Sequence, residues 1–194
     1  VALHLKSVSL PEVSPNWNLY SRTDPNWLSE IAIQEGYNAS AIVYAAVEKR
    51  AKLIAATPWK VYQNGEEVQG AHPLKRLLQT PNPDQSWYEL MYEASQSLDI
   101  AGNAFISEVR GGIRNEPQAL WLLPARYTEI KPGSVQMIEY YKYNESGIGK
   151  RIEPQDMVHL KMPNPGDRWF GMPVLMAAGR ATDIDRESGN WQKV

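Results

Sequence analysis

Proton-transfer or metal chemistry in this chain would have to come from three histidines and a spread of carboxylates, because the 194 residues contain no cysteine. That absence removes disulfides, thiolate nucleophiles and Cys-ligated metals. His4, His72 and His159 are the residues whose ordinary pKa suits acid–base work near neutrality. His72 precedes Pro73 in a turn and has no partner at a diagnostic spacing. Asp156 and His159 are close, but Asp156 opens an expected strand that holds His159, so the pair reads as structural. No HExxH or His-x-His arrangement marks a metal site. Gly111-Gly112 lacks the Lys and Ser/Thr of a phosphate loop, and Ser146-Gly147-Ile148-Gly149 lacks the third glycine and the helix of a dinucleotide site, so both read as hairpin turns. There is no Gly-x-Ser-x-Gly elbow. The sequence therefore predicts a protein that is not an enzyme, with no catalytic, cofactor-binding or metal residues and no cofactor.

Binding is the remaining kind of chemistry. Lys+Arg number 20 against Asp+Glu 22, which argues against broad, salt-dependent clamping of nucleic acid. Glu48, Lys49, Arg50 and Lys52 gather near the middle of one expected helix. They read as a solvated face or, in a competing reading, as the basic patch of a nucleic-acid-binding module that also stacks bases on tryptophan. Tryptophan is abundant, 7 against 2 phenylalanines, and its large apolar body with one polar edge suits interfaces as well as cores. Trp17, Trp27, Trp169 and Trp191 are the candidates for a subunit interface, with packing inside the chain as the alternative for each. No run approaches the roughly 20 apolar residues that span a bilayer, so no membrane role is expected.

The elements that must position these residues are well punctuated. Residues 1–36 read as an irregular arm in which Ser14-Pro15-Asn16-Trp17 is echoed by Asp24-Pro25-Asn26-Trp27, each a turn followed by an anchor. From Ser40 to Ala56, Val43, Ala46, Val47, Ala51 and Ile54 follow helical spacing, with Asn38 or Ser40 as cap. Trp59 to Tyr62 alternates, and Asn64-Gly65 signals a hairpin returning near Val68. Pro73 opens a short helix that Thr80-Pro81-Asn82-Pro83 stops. Asp84 or Ser86 caps the next, whose apolar face is Trp87, Leu90, Met91, Ala94 and Leu98, and Gly102 ends it. Strands are expected over 104–110, 118–123, 127–131, 135–143 and 157–161. Their short, local connections predict an antiparallel sheet or meander packed against the helices, hence α+β architecture. After Met162-Pro163-Asn164-Pro165, Pro173 suits the first position of a long C-terminal helix carrying Ala177, Ala181, Ile184 and Trp191 on one face.

An ordered series of segments carries a resemblance. SAIVYAAVEKRAKLIAATPWKVY is followed by HPLKRLLQTPNP, by W-x-x-L-M, by GNAF, by Leu122-Leu123-Pro124-Ala125-Arg126, by Met157-Val158-His159-Leu160, and by Phe170-Gly171-Met172-Pro173-Val174-Leu175-x-Ala177-Ala178. The series, over roughly residues 38–191, resembles the HK97-type portal proteins of tailed phages. His72, Pro73, Leu74, Pro81, Asn82, Pro83, Gly102, Asn103, Gly171 and Pro173 carry the family pattern as structural residues. Met172 departs from it, since the family more often has serine there, and the arm matches no part of it.

The resemblance implies a structural subunit of a portal ring, typically a dodecamer at one vertex of the capsid, whose channel passes double-stranded DNA during packaging and ejection. It implies an N-terminal, wing-like α/β domain over 37–194, with stem, clip and crown expected beyond 194. The implied partners are copies of itself, the major capsid protein, double-stranded DNA in the channel, and the terminase large subunit and head–tail adaptor through regions absent from these residues. The implied location is the virion's portal vertex, with the host cytoplasm during assembly. A channel that lets DNA slide is compatible with near-zero net charge.

Overall fold

The computed structural model of the chain describes residues 37–38, 40–112, 115–134 and 136–175. Ser40 starts the first helix, α1 (Ala41–Ala55), its hydroxyl accepting from the Val43 N–H at 3.4 Å. That contact satisfies one of the N–H groups a helix start leaves without a partner. Val43, Val47, Ala51 and Ala55 form the buried stripe, together with Glu48. The stripe differs from the expected one: Ala46 is exposed and Ile54 only half-buried.

Asn64 and Gly65 both take positive φ, 54° and 87°, as a two-residue hairpin turn with the right twist requires. They join β1 (Tyr62–Gln63) to β2 (Glu66–Glu67), and the Val68 N–H reaches the Val61 carbonyl at 2.8 Å. Helix α2 (Pro73–Leu77) follows, then α3 (Trp87–Ala101), which starts in a full capping box: the Ser86 hydroxyl accepts from the Glu89 N–H at 3.3 Å, and the Glu89 carboxylate accepts from the Ser86 N–H at 2.7 Å. Gly102, at φ 72°, stops it in the left-handed conformation.

The β-rich half forms two sheets where the sequence pattern suggests one. β3 (Asn103–Gly111) is central to the first, between β4 (Glu116–Leu123) and β8 (Met157–Lys161), both antiparallel to it. The second has the order β5 (Thr128–Pro132), β6 (Ile138–Tyr143), β7 (Lys150–Ile152). Pro124 and the 3-10 turn Ala125–Tyr127 turn the chain out of the first sheet. Lys150–Ile152, outside the strands expected from the sequence, is a strand that meets Tyr141 to Tyr143 in register.

These elements stack in layers. Ala104 and Ile106 of β3 face α3, where they pack with Ala94, Leu98, Leu120, Leu122 and Leu160. Phe105, between them in sequence, faces the other way and joins Ile130, Tyr141, Ile152, Met157 and Trp169 between the sheets. A strand covered on both faces loses the polar alternation of a half-exposed one, and Asn103 to Ser107 are all buried. Small residues allow close packing: Ala51, at 0% exposure, lies on the buried stripe of α1, and Ala94, at 1%, lets α3 sit close on β3.

Candidate functional site

Three of the family-pattern residues scattered through the sequence, Gly102, Asn103 and Gly171, meet at one buried joint. Where α3 ends, Gly102 crosses Gly171 so closely that a Cβ on either residue would run into the other's backbone. Only glycine permits such an approach. The Gly102 carbonyl accepts from the Met162 N–H at 2.8 Å. Asn103, 2% exposed, clamps the crossing: its Oδ1 accepts from the Gly171 N–H at 2.8 Å and faces His159 Nε2 at 3.0 Å, while its Nδ2 donates to the Ala101 carbonyl at 2.8 Å. Because Oδ1 only accepts, the imidazole proton sits on Nε2. The Ser97 hydroxyl donates to the Asn103 carbonyl at 2.6 Å and closes the joint on the helix side.

His159 belongs to an aromatic stack. It lies against its cross-strand neighbour Phe105 at 4.4 Å, and Tyr141 meets both rings edge-on at 5.9 Å. Burial, and secondarily the Lys161 ammonium, holds its pKa down to about 4, so the ring is neutral at pH 7. Asp156 turns elsewhere and pairs with Arg110 at 2.8 Å. The two residues that sequence proximity joins are thus separate, and His159 acts as a packed hydrogen-bond donor.

Both Pro-Asn-Pro turns use one device. Asn82 Oδ1 accepts from the Asp84 N–H at 3.0 Å and its Nδ2 donates to the Leu120 carbonyl at 2.8 Å. Asn164 Oδ1 accepts from the Gly166 N–H at 3.0 Å and its Nδ2 donates to the Phe170 carbonyl, also at 3.0 Å. The side chain folds its own turn and ties it to a carbonyl beyond it, on β4 for Asn82 and six residues on in the same loop for Asn164. Pro81 and Asn82 are buried while Pro83 is exposed. The Leu120 N–H donates to the Pro81 carbonyl at 2.8 Å, and Arg76 donates to the Gln118 carbonyl at 3.3 Å, so the outer edge of β4 is covered. His72 caps α2, its Nδ1 accepting from the Leu74 N–H at 3.2 Å. Pro73 and Leu74 are exposed in its first turn, and Pro173 is buried.

The expected solvated face of α1 is corrected at Glu48, which is 8% exposed. Its carboxylate accepts from the Tyr92 hydroxyl at 2.5 Å, the Tyr37 hydroxyl at 2.9 Å and Gln96 Nε2 at 2.7 Å, and pairs with Lys52 at 3.3 Å. Those donors, Tyr92 first, hold its pKa down against the opposing effect of burial. The same contact pushes the Tyr92 hydroxyl up to about 12. Arg50 pairs at 2.8 Å with Asp99, which is 3% exposed and whose pKa burial raises. Among the described residues only Lys49 of the α1 cations lacks an acidic partner, so the basic patch of the nucleic-acid reading is largely neutralised within the chain. Tyr92 and Gln96 stand four apart on α3, a spacing that does present them side by side, but nothing in the sequence says that Glu48 is what they face.

Of the candidate interface tryptophans, Trp169 is 8% exposed and fills the core between the sheets, so its bulk is buried inside the chain. The Asp167 carboxylate delivers it there by accepting from the Trp169 and Phe170 N–H groups at 2.6 and 3.1 Å. Trp17, Trp27, Trp191 and His4, like the arm over 1–36 and the helix expected beyond residue 175, lie outside the described residues. Among those described, no three His, Asp or Glu side chains converge as metal ligands, and no helix is long and apolar enough to cross a membrane.

Comparison with known proteins places this arrangement. The sequence profile of the family described as "Phage portal protein" matches residues 41–193. An uncharacterized protein of Rickettsia bellii (strain RML369-C) is 31% identical over 167 residues, covering 81% of this chain and 42% of the relative. One of Rickettsia felis (strain ATCC VR-1525 / URRWXCal2) is 30% identical over 166 residues, with the same coverage. Among solved structures, a chain in the neck of an empty GTA particle computed with C6 symmetry superposes with a TM-score of 0.77 at 22% identity, covering 85% of this chain and 44% of that one. A chain in the neck of the native particle computed with C12 symmetry gives 0.72, also at 22%. The chain thus spans less than half the length of these relatives, and it shares the fold with the solved ones.

Proposed function

This chain belongs to the phage portal protein family, and from that membership we propose that it is the wing-like part of a ring-forming portal subunit. In this reading the ring sits at the capsid vertex where head meets tail, its channel passes double-stranded DNA in and out of the particle, and its role is structural and not catalytic. Residues 37–194 form the wing-like domain and residues 1–36 an arm leading into it. The stem, the clip that meets terminase and adaptor, and the crown belong to sequence outside these 194 residues. The protein works in the virion and is assembled in the host cytoplasm, where copies of itself and the major capsid protein are its further partners.

The observation that carries the reading is the family match across 41–193, in a chain whose fold is shared with neck particles solved under C12 and C6 symmetry. The buried joint supports it physically. A subunit repeated around an axis needs a fixed angle between its layers, because angular error accumulates around a closed ring, and Gly102, Asn103 and Gly171 hold helix, sheet and exit segment at one point.

Negative-stain microscopy of the full-length protein tests this. Closed rings with a central channel are expected, and uniform monomers under every assembly condition would overturn the reading.

A further inference from the structure

The outward side of α1 is apolar a second time. Ile42, Ala45, Ala46, Lys49 and Leu53 recur at i, i+3, i+4, i+7 and i+11, opposite the stripe that faces α3. Ile42 is 69% and Leu53 67% exposed. A helix with apolar residues on both sides needs cover on both, and the small alanines between two large side chains make a shallow seat into which another element can press closely. Lys49, in the middle of it, has no acidic partner among the described residues.

A second patch of complementary character stands on the same subunit. The β1–β2 hairpin is only two residues per strand, too short to be stable alone. It is held at its root by buried Val61 and by the exposed Lys60–Glu67 pair at 2.7 Å. Trp59, just before it, sits edge-on against Trp87 at 5.4 Å and is still 53% exposed, and Tyr62 is 60% exposed. The indole N–H of Trp87 beneath is buried without an acceptor. Glu66 beside the turn has no cationic partner among the described residues. Tryptophan and tyrosine anchors on a firm base are what carries binding energy at protein interfaces.

A closed ring joins one patch of each subunit to a different patch of the next. We infer that the outer stripe of α1 on one subunit receives the Trp59–Tyr62 hairpin of its neighbour, another copy of this chain, with Lys49 opposite Glu66. The apolar seat matches the aromatic knob, and the unpaired charges are opposite in sign. The inference rests on the ring reading above.

These 194 residues contain no cysteine, and any cysteine elsewhere in the full-length protein is first replaced by serine. In assembled full-length protein, the double variant Leu53→Cys/Tyr62→Cys treated with a short bismaleimide should run on a denaturing gel as a ladder of dimers, trimers and higher multiples. Each single-cysteine variant should remain monomeric. Rings that form without a ladder, or a ladder from one cysteine alone, would overturn the assignment. Separately, Leu53→Glu should abolish rings while the subunit's unfolding midpoint stays at its unsubstituted value; intact rings would also overturn it. Unsubstituted protein that forms no rings removes the ring reading itself, a result distinct from rings whose contact lies elsewhere.

Discussion

Asn103 does three jobs with one amide, and each constrains a neighbour. Its oxygen takes the Gly171 N–H and the His159 ring proton, and its nitrogen reaches back to the last turn of α3. Buried amides leave a large penalty when a partner is lost, so Asn103→Ala should cost about 2–4 kcal/mol by chemical denaturation, counting two orphaned donors and one orphaned acceptor. Gly171→Ala should cost about 1–3 kcal/mol, because the atom in the way is backbone and cannot rotate aside. His159 gives the joint a pH dependence. An unfolded imidazole takes its proton near pH 6.5, the folded one near 4, so between those values the unfolded state binds more protons and stability falls as the pH is lowered. The loss reaches about 3 kcal/mol at the acid end of the window. His159→Gln keeps a donor for Asn103 and removes the titration. Denaturation of both proteins at pH 7 and 4.5 should show a steeper acid loss for the unsubstituted chain, and parallel losses would contradict the burial of a neutral ring.

At the scale of elements, the α1–α3 pair is held by small residues and by two buried carboxylates. Glu48 draws Tyr37, Tyr92 and Gln96 together, which ties the chain entering α1 to the middle of α3. Glu48→Ala leaves those donors facing an apolar gap and should lower stability by about 2–3 kcal/mol, whereas Glu48→Gln retains an acceptor and should cost clearly less. The comparison separates hydrogen bonding from charge, and equal losses would say that the charge matters most. Ser86→Ala removes one half of the capping box and should cost about 1 kcal/mol, read from the same unfolding curves. The Pro-Asn-Pro turns belong to this scale too. Asn82 binds the Leu120 carbonyl 38 residues along the chain, so what reads locally as a stop signal is also a tie between elements, whereas Asn164 closes its own loop on Phe170.

For the whole molecule, the two sheets and the helix pair form layers around β3, and Trp169 fills the space between the sheets. Trp169→Ala should cost about 3–5 kcal/mol in the isolated subunit, a loss visible without any assembly. The opposite is expected of Leu53→Glu, which should spare the subunit and prevent the ring. Under the portal reading, Trp27→Ala and Trp191→Ala weaken ring assembly as read by microscopy; a loss of folded signal in the isolated subunit would place those two in a core as well. The charge pattern fits a conduit in this reading. Arg50 and Lys52 are engaged by Asp99 and Glu48, which leaves few unpaired cations on α1 to grip a passing phosphate backbone.

What the sequence determined by itself was local. Asn64-Gly65, Pro73 and Gly102 each impose a backbone geometry through their own chemistry, and the caps of α1 and α3 narrowed to Asn38 or Ser40 and to Asp84 or Ser86, so the starts and stops of helices and the hairpin could be read directly, and the α+β class followed. The order of such segments also sufficed for the family. Tertiary structure alone decided how distant segments meet. Nothing in the pattern of strands distinguishes one meander from two sheets, because β8 pairs with β3 across a gap in sequence that carries no local signal. A glutamate amid lysines on a helix reads as solvated, and Glu48 is buried only because two tyrosine hydroxyls and an amide from other segments converge on it. Gly171 stands in the family pattern, but nothing local to it says that Gly102 is set against it. Local chemistry fixes elements, whereas contacts between them depend on which polar groups must find partners once water is excluded.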